Sequence, residues 1–244
     1  MNASLPMYDT PATAAANDRF WCAIRKAYGR GPEHLDRSTD PHETWMSDML
    51  VLSQTCGLPY RSMLHSHVQL VGTPDYDLDG CPPGNYRSII IARADDPRSE
   101  LSEFAQAGFA RNDIRSQSGW AAVAEHYRSH ETVAFVPSAI LDTGGHAASV
   151  HKVAAGFADF AGIDAVTWAL LCRDSNETDG LKVIATTDPT PGLPYITSQQ
   201  ENADRIFTAI SQAISEIGAE DRKTLMINGL IEIPKERYLS VPMP

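Results

Sequence analysis

Short apolar runs alternate along this chain with segments whose apolar residues recur every three or four positions, a pattern that predicts an α/β fold. The runs predict strands at 3–8, 49–52, 69–71, 88–92, near 109–111, and at 138–141, 157–163 and 181–185. Phe20, Trp21, Ile24, Ala27 and Tyr28 form the apolar face of a helix that Asn17 or Asp18 caps and Gly29 ends. Ser99 is positioned to cap a short helix through 104. Trp120, Val123, Ala124 and Tyr127 mark a further helix, and Val150, Val153 and Ala154 mark the next. A short one is predicted at 165–171. The clearest carries Ala203, Ile206, Ile210, Ala213, Ile214 and Ile217 and stops at Gly218.

No internal repeat and no long linker interrupts this series, so two lobes would have to be joined by strands rather than tethers. Residues 88–93 and 183–188 are the candidate crossovers. They divide the chain into a discontinuous first lobe, 1–90 plus 186–244, and an inserted second lobe, 91–185. Paired crossovers of this kind form a hinge.

Composition narrows the function classes. The 244 residues are 43% hydrophobic and 21% charged, enough to bury a core without metal or disulfide staples. A formal charge of -11 argues against a nucleic-acid or anionic-membrane surface, since both call for clustered Lys and Arg. It leaves room for a small anion, because charges beyond about 8 Å are screened while N–H donors act locally. No stretch approaches the ~18–20 apolar residues of a membrane span. Residues 1–6 lack a basic and an apolar signal region. As written, the sequence predicts a cytoplasmic protein, or a periplasmic one from which a leader has been removed. Of the four cysteines, Cys56 and Cys81 each precede a turn, and are either a disulfide pair or two small buried hydrophobes. No zinc-type spacing, other metal site or cofactor motif is present.

Two segments share a strand, a Ser/Thr/Gly-rich turn and a helix. In Ser116-Gln117-Ser118-Gly119-Trp120, hydroxyls and backbone N–H groups gather where the helix dipole favours negative charge. Gly119 lets the backbone come close to a ligand. Alone, the segment reads as an ordinary N-cap. The second turn, Thr143-Gly144-Gly145-His146, adds donors, and doubly wound sheets bring strand C-termini to one edge. Together they form a candidate oxyanion site. Tyr8, Tyr60 and Tyr86 lie near strand ends or turns, either lining an opposite wall or packing in the core. Asp164 either caps the following helix or binds a cationic group. Ser149–Lys152 fits S-x-x-K without a K-T-G partner, and His126 and His130 lack the H-E-x-x-H context. No nucleophile–base pair is evident.

The blocks 51–60, 72–76 and 84–88 resemble the first-lobe signature of the phosphate/phosphite/phosphonate ABC-transporter substrate-binding proteins, and 116–120, 143–149, 162–170 and 190–195 continue the match in order. The resemblance implies a type II periplasmic-binding-protein-like fold, each lobe a mixed sheet flanked by helices, with a ligand cleft between the lobes. It also implies that Ser116, Gln117, Ser118 and Gly119 take phosphonate or phosphate oxygens, with His146 assisting and Tyr86, Tyr8 or Tyr60 supplying the aromatic wall. The implied partners are a small anionic ligand and an ABC permease. Gly192-Leu193 stands where the family's acidic group for a ligand amine is expected, which argues against an aminophosphonate. The rival expectation is a cytoplasmic, lyase-like enzyme on the same scaffold.

Overall fold

A computed structural model describes residues Met1–Pro244 as two compact units. The first comprises Met1–Asn85 and Pro191–Val241, and the second comprises Tyr86–Thr190 with Pro242–Pro244. The main division falls a few residues outside the expected 91–185 insert. It lies within two short strands, Asn85–Tyr86 and Thr190–Pro191, which pair with each other.

In the first unit, Asn2–Ser4 pairs parallel to Leu50–Gln54, and Tyr195–Ser198 lies antiparallel between Leu50–Gln54 and Val68–Asp75. Gly229–Ile231 closes the far edge antiparallel to Val68–Asp75. On one face the Ala14–Tyr28 and Ala203–Glu216 helices bury Phe20, Trp21 and Ile24 against Ile206, Ile210 and Ala213. On the other, Trp45, Tyr60, Leu64, Ile196 and Tyr238 form a second cluster.

The second unit has the sheet order Ala139–Asp142, Gly108–Arg111, Phe160–Asp164, Ser88–Arg93, Leu181–Thr186. Gly108–Arg111 runs parallel to both neighbours, and Ser88–Arg93 antiparallel to both of its own. Alternation sorts its side chains: Ile90, Phe109 and Phe160 pack with Val123 and Tyr127, while Ile91, Ala110 and Ile163 pack with Val150 and Val153. The helices carrying Val123 and Val150 therefore cover opposite faces of one sheet.

Several local expectations are corrected. The first strand stops at Ser4, short of Pro6. The first long helix begins at Ala14, so Asn17 lies inside it and donates instead to Asp9 Oδ1. The turn at Leu101–Phe104 is capped by Glu100, not Ser99: the Glu103 carboxylate accepts from both Ser99 N and Glu100 N at 2.9 Å. The strand expected at 157–163 begins at Phe160, leaving Phe157 exposed. Gly218 precedes the Ala219–Leu225 helix rather than ending the one before it. No disulfide joins Cys56 and Cys81.

Tyr238 ties the end of the chain to the first sheet. Its hydroxyl lies 2.6 Å from Thr73 Oγ1 and donates to the Gly192 carbonyl at 3.0 Å, all within buried surroundings. Tyr238→Phe strands both groups, at a cost of about 1–3 kcal/mol. We expect the thermal midpoint, followed by circular dichroism, to fall by about 2–10 °C.

Candidate functional site

The parallel register of Gly108–Arg111 with Ala139–Asp142 sets Arg111 beside Asp142, so both strands end at the same edge of the sheet. Each is followed by a turn and a helix, and the two helix starts meet there. In the first turn Ser116 is the N-cap, its Oγ accepting from Gly119 N at 2.9 Å. Ala121 N reaches back five residues to Ser116 O at 3.1 Å, widening the opening turn before the regular Ala122–His130 helix. Ser116, Gln117 and Ser118 are all buried.

Two glycines let this start sit close to its neighbours. A Cβ on Gly162, in the adjacent strand, would lie 2.4 Å from Val123 Cγ2 and 3.0 Å from Ser118 O. A Cβ on Gly119 would lie 1.8 Å from Asn112 Oδ1 and 3.1 Å from His146 Cε1. Ser88 Oγ pins the turn by donating to Ser118 O at 2.8 Å.

The second turn is held by Thr143 N donating to Arg111 O and Gly144 N to Asn112 O. The Thr143 hydroxyl is 2.7 Å from Ser149 Oγ and reaches Gly145 O, so it braces the turn instead of pointing to a ligand. His146, first residue of the His146–Ala154 helix, brings Nε2 to 2.9 Å from Ser118 Oγ. Asn112 Nδ2 donates to the same nitrogen at 3.3 Å. Ser116–Gly119 and His146 thus form one cluster with Asn112, a residue that sequence reading missed. Asn112 follows a strand in an ordinary polar loop, and only the strand register reveals its neighbours.

The cluster's donors are neutral. Arg111 makes a two-point ion pair with Asp142, at 2.7 and 3.0 Å, and lies over the Trp120 ring. Burial of the His146 ring pushes its pKa down to about 4, with the Gly162 carbonyl opposing the shift. Ser118 and His146 have the spacing of a nucleophile and base. A ring so weakly basic, with no carboxylate contributing to its shift, is poorly suited to that role.

Tyr60 is 1% exposed and packs edge-on against Tyr238 at 5.1 Å, and burial pushes its hydroxyl up to about 12. It is a core residue. Tyr86 is buried. Asp164 caps the Ala165–Asp174 helix, Oδ1 accepting from Val166 N and Thr167 N. Tyr8, half-buried, meets Tyr76 edge-on at 5.3 Å, and Gln54 donates to Tyr76 Oη and Leu193 O. Gln54 and Tyr76 fall inside the blocks 51–60 and 72–76, but nothing in the sequence singles them out within those blocks.

A family model described as the periplasmic phosphonate substrate-binding protein of ABC transporters matches residues 50–234. The chain belongs to that family. It is a solute-binding protein with the two-lobed type II architecture. No curated protein matches the sequence. Among solved structures, PhnD1 from Prochlorococcus marinus, in complex with methylphosphonate, is 12% identical with a TM-score of 0.71, over 97% of this chain and 94% of that one. A binding-protein component of an ABC phosphonate transporter from Pseudomonas aeruginosa is 15% identical with a TM-score of 0.73, over 98% and 82%. A Xanthomonas citri protein bound to chloride is 12% identical with a TM-score of 0.70, over 97% and 92%.

Two outcomes follow from the site's geometry. Gly162→Ala forces the helix start off the strand and costs about 1–3 kcal/mol, read as a lower urea midpoint. The pH dependence follows from the depressed His146 pKa. Between about pH 6.5 and pH 4 the unfolded chain takes up a proton that the folded ring refuses. The stability this ring contributes is complete above about pH 6.5 and lost as pH falls toward 4. Urea unfolding at several pH values should show a shallower acid slope for His146→Gln than for the parent.

Proposed function

We propose that this solute-binding protein takes a small oxyanion-bearing ligand, phosphate- or phosphonate-like, on the Ser116–Gly119 turn and delivers it to an ABC permease. The observation that carries the reading is the 2.9 Å approach of Ser118 Oγ to His146 Nε2, which brings two helix starts from opposite faces of the sheet to one point. Helix starts present N–H groups without intrahelical acceptors, and their dipoles favour negative charge. Hydroxyl, imidazole and amide groups add directional contacts at no cost in buried charge. The methylphosphonate named with the Prochlorococcus protein and the chloride named with the Xanthomonas protein are in keeping with an anion site. Delivery to a permease requires the protein outside the cytoplasmic membrane, and fractionation of cells expressing the native gene tests that placement.

Titration calorimetry with phosphate, methylphosphonate, methanesulfonate and acetate tests the ligand class. Loss of one hydrogen bond to a charged ligand costs about 1.5–3 kcal/mol, so Ser118→Ala should weaken the best ligand by about 10- to 150-fold. Ser118→Asp places a carboxylate in the cradle and should abolish binding. Unchanged affinity in Ser118→Asp would refute the cradle.

A further inference from the structure

The donors around His146 restrict what the ring can do. Asn112 Nδ2, a group that only donates, lies 3.3 Å from Nε2. An imidazole nitrogen facing such a donor offers its lone pair, which assigns the proton of the neutral ring to Nδ1, a buried atom with no hydrogen-bond partner of its own. The ring stays neutral near pH 7 because burial holds its pKa far below that. With Nε2 as acceptor, Ser118 Oγ, at 2.9 Å, directs its hydroxyl proton to it. A hydroxyl rotates freely and can turn to an anion oxygen instead, which leaves Nε2 only the long 3.3 Å contact from Asn112 and open to a closer donor. Asn112 Oδ1 is a second acceptor in the same cluster, buried without a hydrogen-bond partner and set against Gly119 where any Cβ would collide with it. The cluster therefore holds more acceptors than a fully deprotonated anion can satisfy.

We infer that Asn112 is a specificity-determining residue: it fixes His146 Nε2 as an acceptor, so that the cradle selects an oxyanion still carrying a proton, such as a hydrogen phosphonate or hydrogen phosphate, over a sulfonate or sulfate. The inference rests on the oxyanion reading of Ser116–Gly119 and His146. Asn112 acts through His146 as a positioning residue. Neither shape nor total charge makes this choice, since methylphosphonate in its singly protonated form and methanesulfonate share both a tetrahedral head and a single negative charge. They differ in one O–H. A buried acceptor left without its proton makes the deprotonated ligand the worse one by about 5- to 150-fold, and sites built to hydrogen-bond a ligand O–H discriminate more strongly still.

Two measurements on the full chain test it. The first needs no ligand: nitrogen-15 NMR of the imidazoles in the free protein at about pH 7 should show His146 as the Nδ1–H form. The Nε2–H form, or a charged ring, would overturn the inference and leave the oxyanion reading standing. The second compares methylphosphonate with methanesulfonate by calorimetry at about pH 6, where the phosphonate keeps its proton. We expect a preference for methylphosphonate of about 10-fold or more that shrinks as pH rises and the ligand deprotonates. Asn112→Ala frees the ring to adopt the other tautomer, so methanesulfonate should gain on methylphosphonate and the ratio should approach one. A structural role alone would weaken both ligands equally and leave the ratio intact, which would refute the assignment, as would equal binding by the parent protein. Binding of neither probe nor of phosphate would instead bring down the oxyanion reading itself.

Discussion

The candidate site depends on how closely one helix start can lie against one strand. Gly162 presents no side chain to the turn; a Cβ there would lie 2.4 Å from Val123 Cγ2 and 3.0 Å from Ser118 O, so the helix start settles onto the Phe160–Asp164 strand more closely than any larger residue would allow. Ser88 Oγ then locks Ser118 O from the next strand over. With its carbonyl side bound to the sheet, the turn can keep its N–H side for a partner. Packing and polarity are thus solved by one arrangement. Ser118 O takes the Ser88 hydroxyl and Ser116 O the Ala121 amide, while the leading N–H groups, which no helix can satisfy internally, are left for capping or a ligand. Ser116 takes one of them, from Gly119.

The second helix reaches the same point because of sheet topology. Parallel pairing of Gly108–Arg111 with Ala139–Asp142 makes both strands end together. The helices that follow diverge to opposite faces, where Val123 and Tyr127 belong to one core cluster and Val150 and Val153 to the other. Their first turns remain neighbours at the edge. His146 and Ser118, far apart in sequence, touch for this reason and for no local one.

That distinction explains what could be read from the sequence. Ser116–Gly119 and His146 stood out because capping chemistry and helix periodicity are local and visible in a few residues. Most strands of both sheets were legible as apolar runs, whereas the three-residue Gly229–Ile231 edge strand is too short to show alternation. Asn112 had no local signal, since its meaning comes from its contacts with Gly119 and His146. Tyr60 misled for the opposite reason: a tyrosine beside a Gly-Leu-Pro turn looks the same whether its ring faces a ligand or, as here, Tyr238. Asp164 was legible only as two alternatives, and its bonds to Val166 N and Thr167 N leave it the cap.

The use of neutral groups would reconcile the proposed anion site with a chain of formal charge -11. Distant carboxylates are screened by salt over about 8 Å, so the field at the cradle is set by nearby dipoles. Arg111, the cation attached to the strand leading into it, is already bound to Asp142 and packed on Trp120. A free guanidinium would attract any anion and discriminate little between them. Oriented N–H groups, one hydroxyl and a neutral imidazole bind with direction as well as charge, so they can separate ligands of equal charge by the positions of their protons. On the proposed reading, keeping the His146 ring neutral is part of the recognition chemistry, and the burial that lowers its pKa would serve selectivity at the expense of electrostatic attraction.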